Sequence, residues 1–496
     1  MSKYKIPDQP FTYQNFINGK YVDSSSKKTF NRDSPGHDAV VGTYPLSDKK
    51  DTEEAITVAN RTFKSSEWSS LAGVDREKII RKAASIIRDR AEELALIEAL
   101  EGGKPISQAI DEMEWAAGIW DYAATLARHI AGDVNTNVGN DITAMMQKVP
   151  VGVVGMITPW NFPLLIISQK LPIALAAGCT AVIKPSEMTP GTTLLLGGIL
   201  KEAGLPDGVV NILSGYGDPV GMTLTASNDV DMISFTGSTN VGKHIARAAA
   251  GNLKKVALEL GGKNPQIIFP DADMDALIDA VVFGIYFNMG ECCNSGSRII
   301  IHEDIAASFE ERVIAHAKKV KVGDPLDPTV NMGAIINNMQ YEKIMSYIES
   351  GLTQGATLKL GGKAIESGKG TYIEPTIFSD VTPDMDIACE EIFGPVLSIL
   401  TFKTTQEAIE IANATEFGLS AGVWTKDIDT AMYMTRNIDA GTVWVNNWMS
   451  GYPEIPFGGM KQSGLGRELG PHAIDEFMET KSVLIKTGAT PGNWVG

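Results

Sequence analysis

From Arg76 to Leu100 the apolar positions Ile79, Ile80, Ala83, Ile86, Ile87, Leu94 and Ile97 recur at about 3.6 residues, with Arg, Lys and Glu between them. That period predicts one long amphipathic helix, closed by Gly102, Gly103 and Pro105. A second helical stretch runs from about Ser107 to His129, and short β-like runs precede both at Phe16–Val22 and Phe30–Arg32. The polar segment from Gly132 to Lys148 ends in the alternation Ile142, Ala144, Met146 and reads as a protruding hairpin.

After Val149 the period changes. Runs rich in Val and Ile (VGVVGMI, TAVIKP, GVVNIL, DMISFTG, KKVALELGG) alternate with helical stretches that start near Leu164, Thr192 and Val241. Apolar strands separated by helices indicate parallel βαβ units whose sheet is covered on both faces. A doubly wound, nucleotide-binding α/β sheet is predicted up to Gly262, and a second α/β unit from Lys263 to about Ser463. The tail SVLIKTGATPGNW reads as a strand at an edge.

Composition changes this picture only by exclusion. At roughly 150 residues per domain, 496 residues make two or three domains. The 43 Lys and Arg against 60 Asp and Glu leave a net charge of −17, which repels nucleic acid and anionic membrane surfaces. The most apolar stretch, Phe162 to Ile183, is interrupted by Gln169, Lys170 and Pro172 and falls short of the roughly 18 apolar residues a membrane span needs. No signal-peptide run opens the chain, so a cytoplasmic location is expected. Cys179, Cys292, Cys293 and Cys389 are too few for a disulfide framework, and no pair has zinc-ligand spacing with a histidine, so no metal is expected.

Candidate chemistry concentrates in four places. In the run from Gly290 to Arg298, Cys292 and Cys293 have small polar flanks that burial alone does not explain. A thiolate nucleophile there needs a lowered pKa or a neighbouring base. Glu259 lies between leucines in a strand-like run, where desolvation raises a carboxyl pKa towards that of a general base; a structural Glu capped by Gly261 and Gly262 fits the spacing equally. The segment from Thr158 to Pro163 ends the strand VVGMI, and strand ends of this kind bind ligands. Asn161 there is either a rigid donor or part of an Asx turn. Finally, Gly237-Ser238-Thr239 joins a strand to a helix, whose free N–H groups would cradle a pyrophosphate or simply close a βα turn.

In chain order, TPWNFP, IKPSE, FTGSTNVG, LELGGK, GECCNSGSR, EEIFGP and PFGGMKQSGLGRE resemble the aldehyde dehydrogenase superfamily, over nearly the whole chain. The resemblance implies a Rossmann-like cofactor domain at 1–130 with 150–261, an α/β catalytic domain at 262–465, and a β oligomerisation region at 131–149 with 479–496. It implies Cys293 as nucleophile, Glu259 as general base and Asn161 as oxyanion donor. It also implies NAD as cofactor, bound by Trp160, Lys184, Glu187, Gly237, Ser238, Glu391 and Phe393. Glu187 beside the adenosine ribose favours free hydroxyls, hence NAD over NADP. The implied activity is non-acylating oxidation of an aldehyde to a carboxylate, in a homodimer or homotetramer.

Two departures stand beside the substrate: Glu291 where Gln is commoner, and Asn294 where Ser, Thr or Ala is usual. The betaine aldehyde and aminoaldehyde branch is nearest, yet Phe162 and Gln169 replace the Tyr and Trp of its aromatic cage, which leaves the cage incomplete. Glu114 lies on the helix that lines the substrate tunnel in relatives. Pointing inward it would favour a cationic aminoaldehyde, whereas Gln169 would favour a hydroxylated one. A small polar amino- or hydroxy-aldehyde touching Phe162, Gln169, Asn294 and Glu114 is therefore expected. A CoA-acylating semialdehyde dehydrogenase is the alternative on the same fold, though such enzymes lack the base that Glu259 supplies. A thiol esterase or hydrolase would pair Cys293 with a histidine, and no histidine lies near these motifs.

Overall fold

Arg90 interrupts the first predicted helix. The structure, a computed structural model, describes residues 3–365, 370–488 and 495. In it α1 (Gly73–Asp89) and α2 (Ala91–Gly102) meet at Arg90, whose φ of −107° and ψ of 14° leave the helical region. Arg90 instead clamps Glu93 through two hydrogen bonds of 2.8 Å. The apolar period continues across the kink because Leu94 and Ile97 remain buried. The second predicted helix is α3 (Ile106–Leu126).

The hairpin segment contributes β1 (Ile142–Pro150). The alternating segment then forms β2 (Val153–Ile157), α4 (Pro163–Ala177), β3 (Thr180–Lys184), α5 (Gly191–Ala203), β4 (Val210–Ile212), β5 (Met232–Thr236), α6 (Thr239–Ala249) and β6 (Lys255–Glu259). These strands pair in parallel in the order β6-β5-β2-β3-β4. Antiparallel strands extend the sheet at both sides: Asn15–Ile17 and Lys20–Val22 beyond β4, and Gly464–Leu465 against β6. Buried residues such as Val154, Met156, Ile183 and Ile212 account for the Val/Ile-rich runs, since a sheet with helices on both faces has no solvated side.

The second unit contains β7 (Pro265–Ile268), α7 (Met274–Tyr286), β8 (Arg298–His302), β9 (Thr376–Ser379), β10 (Val396–Phe402), β11 (Ser420–Trp424) and β12 (Thr442–Val445). Its parallel order is β9-β10-β8-β7-β11-β12, with Thr357–Leu360 antiparallel outside β9. A separate core centred on Ile267, Ile300, Leu397 and Val423 fills it.

The tail forms β13 (Met478–Lys486), which pairs antiparallel with β1 from Met478 opposite Pro150 to Lys486 opposite Ile142. Val134–Asn135 lies on the far side of β1, so the protruding element is a three-stranded sheet rather than a simple hairpin. The last part of the expected oligomerisation region, 489–494 and 496, lies outside the described residues.

Candidate active site

The turn after α7 carries the cysteine pair. Asn288, Met289 and Gly290 take φ values of 48°, 57° and 73°, three consecutive left-handed residues. For non-glycine residues this costs roughly 1–3 kcal/mol each and persists only where the surroundings hold it. Here Gln108 Oε1 accepts from Asn288 N at 3.0 Å, and Asn264 Nδ2 donates to the carbonyls of Cys293 (2.9 Å) and Ser295 (2.8 Å). Cys292 is buried, with Sγ 2.8 Å from Asn294 Oδ1, whereas Cys293 is half-buried. A hydrogen bond with the Cys292 side chain, reinforced by burial, pushes the Cys293 thiol well above its ordinary pKa.

Asn161 stands just beyond β2, with Nδ2 donating to the Glu291 carbonyl at 3.0 Å and Oδ1 left without a hydrogen-bond partner. The same carbonyl accepts from Asn288 Nδ2 at 2.9 Å. Glu291 itself is fully buried; Oε1 accepts from Ile336 N at 3.1 Å, and burial pushes its carboxyl well above the usual range.

Glu259 ends β6, and burial pushes its carboxyl well above the usual range, with Glu468 adding to the effect and Lys170 opposing it. Its Oε2 has no hydrogen-bond partner. A Cβ on Gly458 would lie 2.7 Å from Glu259 Oε1, so a residue without a side chain is needed there. Lys170, fully buried on α4, forms its ion pair with Glu468.

A second group of residues gathers at the carboxyl ends of β2, β3 and β5. Lys184 Nζ donates to Pro185 O at 2.8 Å and sits 3.4 Å from Glu187 Oε2. Ser238 caps α6, its side chain accepting from Val241 N at 3.4 Å. Gly237 N donates to Glu259 O at 3.0 Å, and a Cβ on Gly237 would press 2.5 Å from the Phe235 ring. From the other sheet's side, Glu391 Oε1 accepts from Gly262 N at 2.9 Å, and Phe393 meets Trp160 edge-on at 5.3 Å between ring centroids. A helix start, a carboxylate beside a lysine and a paired aromatic edge suit the pyrophosphate, ribose and nicotinamide portions of a dinucleotide.

The model of the aldehyde dehydrogenase family matches residues 21–483. The chain belongs to that family. It is 43% identical over 489 residues to aldehyde dehydrogenase family 2 member C4 of Arabidopsis thaliana, covering 98% of this chain and 97% of the relative. It is 40% identical over 482 residues to betaine aldehyde dehydrogenase of Bacillus subtilis (strain 168), covering 97% and 98%. Among solved structures, an NAD-dependent aldehyde dehydrogenase from Sinorhizobium meliloti superposes with a TM-score of 0.97 at 48% identity, covering 98% and 97%.

In this aldehyde dehydrogenase, a cavity of about 390 Å³ opens onto Cys293, with Glu259, Phe162, Gln169 and Asn294 in its lining. Glu114, expected beside the substrate, is not in that lining. Its two oxygens take Arg88 Nε at 2.9 and 3.1 Å, and its side chain is 67% exposed. The neighbouring position, Trp115, faces the cavity instead, as a helix turns about 100° per residue.

Sequence reading passed over several residues of this site. Glu468, Phe287, Trp444 and Phe457 also line the cavity, and no motif marks Phe287 or Trp444. Lys170 did leave a signal, since a lysine inside the most apolar run of the chain needs a buried partner. That partner, Glu468, lies in the late GLGRE motif.

Proposed function

We propose that this enzyme oxidises an aldehyde to its carboxylate with NAD+, through a covalent intermediate on Cys293. The observation that carries the reading is that Cys293 and Glu259 face one cavity while Asn161 holds the turn that bears the cysteine.

Cys293 Sγ, its proton passed to water in the cavity, attacks the aldehyde carbon, forming a C–S bond as the carbonyl π pair moves onto oxygen. The second N–H of Asn161 and the Cys293 backbone N–H meet that oxyanion; one such donor contributes on the order of 10²–10³ in rate. The nicotinamide, when bound, supplies the electrophilic carbon that takes up the hydride. The thioester left on Cys293 is opened by water that gives its proton to Glu259, releasing the carboxylate and restoring the thiol. The raised pKa of Glu259 makes its carboxylate a stronger base towards that water. Lys184 and Glu187 hold the adenosine ribose, Ser238 and Gly237 the pyrophosphate, and Trp160, Glu391 and Phe393 the nicotinamide side.

Of the two polar substrates the sequence suggests, the aminoaldehyde loses its carboxylate because Glu114 is committed to Arg88. A hydroxylated aldehyde keeps Gln169, whose amide has no protein partner among the described residues and lines the cavity. We assign the cofactor role to 1–130 with 150–261, the catalytic role to 262–465, and subunit contact to 131–149 with 479–496, in a cytoplasmic homodimer or homotetramer. Support for the contact comes from β13, where Leu484 is 68% exposed on an open sheet edge. Among the described residues no helix is long and apolar enough to cross a membrane.

The test is NADH formation with an aldehyde panel, with and without CoA. NADH formation without CoA, yielding free carboxylate, supports the reading; strict CoA dependence rejects it.

A further inference from the structure

We infer that the aldehyde taken by this site is uncharged and carries a flat ring whose far side rests on an apolar rim formed by Trp115 and Tyr452. The inference rests on the oxidation at Cys293 proposed above and names its substrate class.

The inner wall is aromatic. Phe162 and Phe287 stack with centroids 5.9 Å apart and planes at 17°, and together with Trp444 and Phe457 they line the cavity that reaches Cys293. Flat ring faces pack best against another flat ring, offset or edge-on. Cavities of roughly 300–1,000 Å³ hold ligands well above two-carbon size, and this one measures about 390 Å³.

Neither carboxylate of the cavity lining, Glu259 or Glu468, is left free to receive a cation. Glu114 is paired with Arg88 outside the cavity, and Glu468 is paired with Lys170 within it. Glu259 is held towards its neutral form by burial. A primary ammonium would therefore lose its hydration without gaining a carboxylate. The neutral Gln169 amide instead accommodates one uncharged polar substituent, which reconciles the hydroxylated substrate with an apolar body.

The mouth continues the same surface outward. Trp115, Tyr452 and Ile455 are 40%, 61% and 54% exposed, an apolar rim that is uncommon on a surface without a ligand. Gly451 makes this rim possible: a Cβ there would lie 2.6 Å from Trp115 Cζ2, so any other residue displaces the indole.

The test compares kcat/KM with NAD+ for phenylacetaldehyde and indole-3-acetaldehyde against glycolaldehyde, 3-aminopropanal and betaine aldehyde. The ring aldehydes are expected at least tenfold ahead. In Trp115→Ala and in Gly451→Val the phenylacetaldehyde to glycolaldehyde ratio should fall about tenfold, chiefly through KM for the ring substrate. Betaine aldehyde or 3-aminopropanal matching phenylacetaldehyde overturns the inference, as does a ratio unmoved in both variants. In either case NADH formation still upholds the reaction at Cys293. Absence of NADH with every aldehyde overturns both.

Discussion

Asn161 Nδ2 lies 3.0 Å from the backbone carbonyl of Glu291, two residues before Cys293. That contact occupies one N–H of the amide, and in the proposed reaction the other meets the substrate oxygen. Replacing Asn161 by Leu removes the donor at similar volume. We expect kcat to fall by about 10²–10³ with a much smaller change in KM, since the interaction strengthens only as the oxyanion forms. Steady-state kinetics check this, and a loss confined to KM would place Asn161 in ground-state binding.

The hydrogen bond between Cys293 and Cys292 makes a prediction about reactivity. Because it raises the Cys293 pKa, the cofactor-free enzyme should be alkylated slowly by iodoacetamide at neutral pH, with a midpoint above the ordinary thiol value of about 8.5. Cys292→Ala should move that midpoint down. Cys293→Ala should abolish NADH formation and still bind NAD+, as only the covalent step is lost. Label found on Cys292 in the wild type would transfer the nucleophile by one residue.

Glu259→Gln keeps the shape of the side chain and removes its proton exchange. If Glu259 acts on the thioester, rapid mixing should show a burst of about one NADH per site, followed by slow turnover. A variant that forms no burst would show that Glu259 is needed before the hydride leaves, for instance to take the Cys293 proton.

What the sequence made legible follows the physics of each signal. The buried parallel strands were visible because a sheet covered on both faces demands unbroken Val and Ile, as in β2 and β3. The break at Arg90 was hidden because the apolar period runs through it, and a single residue of altered φ/ψ leaves no mark on spacing. Cys293, Glu259 and Asn161 stood out through their motifs, whereas the direction of Glu114 could not be read. A helical carboxylate next to a cavity-lining Trp115 points to whichever cation is near, and Arg88 lies 26 positions away in sequence, on another helix. The antiparallel addition of Gly464–Leu465 to β6 was equally hidden, because two residues carry no period.

In the proposed reading cofactor choice rests on Glu187, whose Oε2 lies 3.4 Å from Lys184 Nζ at the end of β3. A 2′-phosphate placed there would meet a carboxylate. We expect kcat/KM with NAD+ to exceed that with NADP+ by at least tenfold, and Glu187→Ser to narrow the gap by relieving like-charge contact. Equal values for both cofactors in the wild type would remove Glu187 from this role.

Lys263 offers a test of stability that is independent of catalysis. It is fully buried in the loop between β6 and β7, and its Nζ has no hydrogen-bond partner. Burial, with the neighbouring Arg298 cation adding to it, pushes its pKa down to about 7 from 10.5. The unfolded chain therefore binds this proton more tightly than the folded one. Folding stability is undiminished above about pH 10.5, declines as pH falls towards 7, and changes no further below that. Lys263→Met retains the length of the stem and removes the charge, so it should raise Tm by a few degrees at pH 6.5 and by progressively less towards pH 10. Thermal melts of both proteins across that interval check the sign. A gain that is the same at every pH would mean that the methionine improves packing and that the lysine's proton is not what the fold opposes.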